Sequence, residues 1–237
     1  MKLHTLSGAL LTVALAVACT RDAQTIPPVS TRSTTAPAPA SPAASPPAQV
    51  APPMSPESAA LLIRPHSPVV GPANARVTIV EVLDPGCEAC RALAPVVNAI
   101  RLVYPEDVRV VVRYAAFHEG SQEAIRLLDA ARRQGKFEQT LAALFDRQQE
   151  WSSHDAPNVA HIWKIAADAS VDVKRAQLDA HDADVEAMLL QETRDIYALK
   201  VDRTPTFFVN ERPMLKYSPE HLRELVASEI KRTQAPK

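Results

Sequence analysis

Val77-Thr78-Ile79-Val80-Glu81-Val82-Leu83, followed at once by Asp84-Pro85-Gly86-Cys87-Glu88-Ala89-Cys90, decides how this chain folds. The first seven residues form a near-continuous β-branched run, the mark of a strand buried on both faces. After the cysteines comes an amphipathic stretch with Leu93, Val96, Val97, Ile100, Val103 and Tyr104 on one helical face. A second β-branched run, Val108 to Tyr114, closes the unit. Strand, helix, strand in that order predicts a parallel pair joined by a crossover helix. Both cysteines then fall on the first turn of that helix.

Two cysteines three apart on a first turn can close a small disulfide ring. Cys87 meets unpaired backbone N–H groups and the positive end of the helix dipole, which favour a thiolate and hence a nucleophile. Cys90, one turn further in, is placed to attack a mixed disulfide formed at Cys87 and release the partner. A c-type haem site needs His where Arg91 stands, and a structural zinc needs two more ligands, whereas the only other cysteine is Cys19. A static structural disulfide is the remaining alternative. The setting after a buried strand in a βαβ unit favours redox chemistry.

Downstream, helices are expected from Ser121 as N-cap to Gly135 as C-cap, then around Phe137, Leu141, Leu144 and Phe145. Others are expected near Val159–Ala169, Val173–Leu178 and Val185–Leu199. The chain returns to a strand at Thr206–Asn210, a short strand near Pro213–Tyr217, and a last helix from Pro219 to about Lys231. Trp151 and Trp163 read as core, and Arg132 and Arg133 as a solvated helix face. Strands flanking a helical insertion, roughly residues 118–200, make an α/β sandwich.

Upstream, Lys2 and an apolar run from Leu6 to Val17 read as a signal peptide over residues 1–18, too short to span a bilayer. Leu15-Ala16-Val17-Ala18-Cys19 resembles a bacterial lipobox, which makes Cys19 the candidate lipidation site and places the protein on the periplasmic side of a bacterial cell envelope. From residue 19 to 56 the chain is mostly Pro, Ala, Ser and Thr, and ten of the 21 prolines lie between Pro27 and Pro56. Such a stretch buries too little apolar surface to offset its ordering entropy and reads as a disordered tether. The working domain is expected over residues 57–237. With 26 Lys+Arg against 27 Asp+Glu, a formal net charge of -1 gives no support to nucleic-acid binding.

The domain resembles the thioredoxin fold, and within it the DsbA-like thiol:disulfide oxidoreductases with their helical insertion. Val77–Cys90 matches that family's strand, acidic residue and C-x-x-C, Val201–Asn210 its Thr-Pro signature, and Pro95 the kink proline of its first helix. The resemblance implies that Cys87 forms the mixed disulfide and Cys90 resolves it. It implies that Pro205 is cis and presents the Thr204 backbone to a bound peptide, and that Glu81, its pKa raised by burial, accepts the Cys90 proton. It implies cysteine-containing exported proteins as substrates and a membrane redox partner that recycles the pair, with no cofactor and no resident metal. Isomerases of the superfamily generally carry an N-terminal dimerisation domain. The tether stands in that place, so a monomer is expected. Gly86 replaces a common aromatic residue, Arg203 stands where Gly is frequent, and Glu211 occupies a turn position usually given to Gly.

Glu88 and Ala89, between the cysteines, are the expected redox-tuning residues. With Asp84 upstream, Glu88 puts negative charge near the thiolate, so Cys87 is expected to titrate well above the strongly acidic cysteines of dedicated oxidases. The couple would then lie on the reducing or mild-exchange side. His118 reads as a loop histidine near the active-site face. A second function class stays open, a copper-binding or metal-delivery module using Cys87, Cys90 and His118. Met188 and Met214 are isolated, and His154, His161, His181 and His221 show no metal-site spacing.

Overall fold

The computed structural model describes residues 51–153 and 157–234. The signal peptide, Cys19, nearly all of the tether and His154 lie outside the described residues. The elements in order are α1 (Pro56–Ala59), β1 (Val69–Val70), β2 (Val77–Leu83), α2 (Glu88–Val103), β3 (Val108–Tyr114), α3 (Ser121–Arg133), α4 (Phe137–Asp146), α5 (Gln148–Trp151), α6 (His161–Asp168), α7 (Val173–Asp179), α8 (Ala183–Ala198), β4 (Thr206–Val209), β5 (Arg212–Pro213) and α9 (Pro219–Gln234).

The strands make one five-stranded sheet in the order β1-β3-β2-β4-β5. The β2–β3 pair is parallel with Val77 opposite Val108 and Leu83 opposite Tyr114, while β4 joins β2 antiparallel with Glu81 opposite Phe207. Strand alternation sorts the side chains. Val77, Ile79, Glu81 and Leu83 share the face packed by Leu93, Val97 and Ile100 of α2 and by Leu222, Leu225 and Val226 of α9. Val80 and Val82 face the other way, onto Leu62, Ile196 and Phe208. On that second face Arg113 is fully buried, binding Glu192 and Asp195 of α8.

Several details differ from the sequence expectation. The ordered chain reaches back into the span read as tether, because Met54 N–H donates to the Glu211 carbonyl and Arg212 donates to the Ala51 carbonyl. Ser121 is not the N-cap of α3. Gly120 holds that place at φ 79, and the freed Ser121 hydroxyl turns inward to Asp84. Gly135, at φ 68, sits one residue past the C-cap Gln134, and Lys136 N–H closes the turn on Ala131. Val103 is 67% exposed because the buried stripe runs through Leu93, Val97 and Ile100 to Tyr104 and leaves Val103 beside it. Arg132 and Arg133 are not a merely solvated face: both clamp the buried Asp129 carboxylate. The final strand pairing ends at Pro213, and residues 214–217 run on as a loop past the cysteines. The β4–β5 turn places Asn210 and Glu211 at φ 45 and 66, a left-handed geometry in which glycine would be unstrained.

Candidate active site

β2 ends at Leu83, and the next four residues form a tight loop that delivers Cys87 as the N-cap of α2. Cys87 is nearly buried and Cys90 fully so, and both are free thiols. The Cys87 thiol donates to the Thr204 carbonyl at 3.3 Å, and the peptide bond that follows, Thr204–Pro205, is cis. Asp84 N–H points at the Cys90 sulfur from 3.5 Å. The structure thus brings Cys87, Cys90, Thr204 and Pro205 together.

The two sulfurs differ electrostatically. A hydrogen bond from Cys90 lowers the Cys87 pKa most. Burial opposes it, and the Thr204 side chain and the N–H groups of Cys90 and Ala89 add to the lowering, leaving Cys87 at about 5. Burial pushes Cys90 far above its ordinary value, with the charges of Cys87 and Glu81 acting in the same direction. Glu81 lies under the pair on β2 with no hydrogen-bond partner among the described residues, and burial alone raises it to about 8. Its carboxyl borders a cavity of about 100 Å³ between α2 and α4, whose wall includes Asn98, Arg101 and Glu138.

Cys87 thus lies below the ordinary thiol range, against the expectation that Asp84 and Glu88 disfavour its thiolate, and neither carboxylate is among the leading influences on it. Asp84 is fully buried. It accepts from Gly86 N–H at 2.8 Å, Phe117 N–H at 2.7 Å, His118 N–H at 3.1 Å, the His118 Nδ1 at 2.8 Å and the Ser121 hydroxyl. Glu88 acts on His118, whose pKa it helps to raise. Ala89 tunes the thiolate only through its backbone.

Sequence reasoning missed the residues that clamp this loop from the insertion. Gln148 donates to the Pro85 carbonyl at 2.8 Å and accepts from Arg91 at 3.0 Å, while Ser152 donates to the Gly86 carbonyl at 3.4 Å. Tyr217, on the loop after β5, is the other addition. Burial raises it to about 12, with the two cysteines and Glu81 contributing, so its hydroxyl lies within their field. A local sequence signal for these contacts does not exist, since each spans dozens of residues.

Comparison with known proteins agrees with this geometry. Residues 64–228 match the family model described as thioredoxin. A thioredoxin-like oxidoreductase from Silicibacter pomeroyi superposes with TM-score 0.63 at 28% identity, covering 75% of this chain and 99% of that one. Wolbachia pipientis alpha-DsbA1 superposes with TM-score 0.65 at 15% identity, covering 74% and 96%. Among curated proteins, the Na(+)/H(+) antiporter NhaA of Herminiimonas arsenicoxydans is 31% identical over 142 residues, 60% of this chain. The chain spans only 22% of that protein's length, and among the described residues no helix is long and apolar enough to cross a membrane. With its helical insertion between β3 and β4 and its paired cysteines at the head of α2, the chain belongs to the thioredoxin family and has the DsbA-like architecture.

Proposed function

We propose that the protein is a thiol:disulfide oxidoreductase acting on exported, cysteine-containing proteins through the Cys87–Cys90 couple. The carrying observation is the asymmetry of the pair, a nearly buried low-pKa sulfur at a helix head and a fully buried high-pKa sulfur one turn behind. In the oxidising direction a substrate thiolate attacks Cys87 Sγ, the Cys87–Cys90 bond breaks, and the departing Cys90 thiolate takes the proton held by Glu81. A second substrate thiolate then displaces Cys87, which leaves as thiolate. In reverse, Glu81 accepts the Cys90 proton and Cys90 attacks the mixed disulfide at Cys87. Glu81 can serve both ways because burial places it near neutrality. Thr204 and Pro205 would take a peptide alongside as an added strand, beside the carbonyl that already faces Cys87.

The direction of the reaction follows from which form is stabilised. A stabilised Cys87 thiolate stabilises the reduced protein, so the disulfide is the stronger oxidant. This supports the oxidising to exchange range in place of the reducing end suggested by composition between the cysteines. A membrane redox partner would recycle the pair, and a lipid anchor at Cys19 would hold a monomer on the periplasmic side. The copper-holding reading gains no support, since among the described residues no group of three or more His, Cys, Asp and Glu is placed to hold a metal ion. Equilibration with glutathione redox buffers tests the proposal. The expected potential lies on the oxidising side of about −200 mV, while a value near the thioredoxin level of about −270 mV removes the oxidising assignment.

A further inference from the structure

We infer that His118, on the loop after β3, is the cation that partners the Cys87 thiolate, with Asp84 as its positioning residue. The inference rests on the redox reading of Cys87 given above and adds a residue to it. Three observations carry it.

The first is the hold on the ring. The Asp84 carboxylate takes both the His118 backbone N–H, at 3.1 Å, and the ring Nδ1, at 2.8 Å. Nδ1 bonded to a carboxylate fixes the ring orientation and leaves Nε2 on the opposite edge. The same carboxylate binds Gly86 N–H, one residue before Cys87, so a single buried anion sets the position of the imidazole and of the nucleophile's loop.

The second is proximity. A Cβ added at Gly86 would stand 3.0 Å from the His118 Cβ, so His118 packs directly against the residue that precedes Cys87. The space beside Cys87 that a side chain at residue 86 could have filled is taken by His118, Ser121 and Ser152.

The third is the charge around the ring. Asp84, Cys87 and Glu88 all favour the protonated imidazole and together outweigh partial burial, which pulls the other way. Glu119 lines the cleft on the outer side, with Phe117, Ser152 and Ser153. The faces toward His118 therefore carry Asp84, Cys87, Glu88 and Glu119. Glu88, read from sequence as an opponent of the thiolate, here supports the cation that favours it.

The arrangement is a Cys–His–Asp array assembled from the loop before α2 and the loop before α3, and it involves no transferred group. Its effect is to hold positive charge beside the sulfur in the reduced state. That charge is present at pH values below the raised His118 pKa and fades as pH climbs through it.

Coupled groups shift each other equally, so the test can use the unaltered protein. The His118 ring is titrated by NMR in the oxidised and the reduced forms. The expected result is a higher His118 pKa in the reduced form, by about half a unit to one unit for a partly exposed pair. Equal values in the two forms overturn the inference. In His118→Gln the Cys87 thiolate absorbance near 240 nm is expected to titrate upward by a similar amount, and in His118→Arg to stay low. The same Cys87 pKa in all three proteins also overturns it. Mixed-disulfide capture by a Cys90→Ala variant is read alongside. Capture without coupling removes the His118 assignment alone, and no capture removes the redox reading with it.

Discussion

The Cys87 sulfur lies 3.3 Å from the Thr204 carbonyl oxygen, so the nucleophile and the backbone edge that would receive a peptide meet in one hydrogen bond. A substrate strand pairing along that edge would bring its own sulfur to Cys87, while Cys90 stays fully covered. Reactivity toward a small alkylating agent should follow the same division. Iodoacetamide at pH 6 is expected to modify Cys87 and leave Cys90 untouched, with a rate midpoint near the Cys87 pKa of about 5. Peptide mapping after a timed quench reads the site. Modification at Cys90 in the folded protein would contradict the burial that separates the two roles.

As the proposed proton carrier, Glu81 would trade stability for activity. Burial raises its folded pKa to about 8, so it destabilises the fold progressively as pH rises from its unfolded pKa through about 8. Below the unfolded value both states hold the proton and the penalty vanishes. Glu81→Gln should therefore match the wild type near pH 4 and exceed it by about 3–5 kcal/mol at pH 9, measured by urea denaturation of the reduced protein. The same variant should resolve mixed disulfides about 10²-fold more slowly, the usual size of a lost general base. A variant with unchanged stability at both pH values would mean that Glu81 is solvated from the 100 Å³ cavity beside it.

Much of this could be read from the chain. The run from Val77 to Tyr114 announces its parallel pair because both faces are apolar, and Cys87 and Cys90 follow by counting to the helix start. β1 escaped because two residues, Val69 and Val70, carry no period, and they exist as a strand only through pairing with Val110 and Val111. Asp84 was legible as a charge near Cys87 but its direction was not, since adjacency in sequence fixes no side-chain orientation. The Phe117, His118 and Ser121 donors that hold it belong to the loop after β3 and the start of α3. Gln148 and Ser152 were illegible for the same reason.

Arg113 holds the insertion's last helix to the sheet. It is fully buried, with Nε 3.0 Å from both Glu192 oxygens and Nη2 2.7 Å from Asp195. Arg64 and His66 complete the cluster from the segment before β1. Arg113→Met leaves two buried carboxylates short of a cation and should cost about 3–5 kcal/mol at pH 7, read from urea melts. Burial pushes Asp195 up, but the Arg64 and Arg113 hydrogen bonds prevail and hold it at about 2. Its stabilisation is thus present above the unfolded value of 3.8 and lost as pH falls through about 2, and the Arg113→Met penalty should shrink over that window. A loss under about 1 kcal/mol at pH 7 would show that Arg64 and His66 suffice.

Gly86 carries the last prediction, and its constraint is space. A Cβ there would stand 2.6 Å from Ser121 Oγ, 2.8 Å from Ser152 Oγ and 3.0 Å from His118 Cβ. Among the described residues the Ser152 hydroxyl is bound through a 3.4 Å contact to the Gly86 carbonyl, and it can swing away. Ser121 cannot, because its hydroxyl both donates to Asp84 and accepts from Gly86 N–H. Gly86→Ala must therefore shift the loop or break the Asp84 cluster, at about 1–3 kcal/mol, the usual range for overpacking. Either response moves Cys87 relative to Thr204, so its thiolate titration should shift upward together with the loss of stability. Adding Ser152→Ala should recover little, whereas adding Ser121→Gly should relieve the clash and still leave Asp84 short of a donor. Thermal melts and absorbance titrations of the four proteins separate these outcomes. A fully stable Gly86→Ala with an unshifted Cys87 would show that the loop before Cys87 has slack that these contacts deny it.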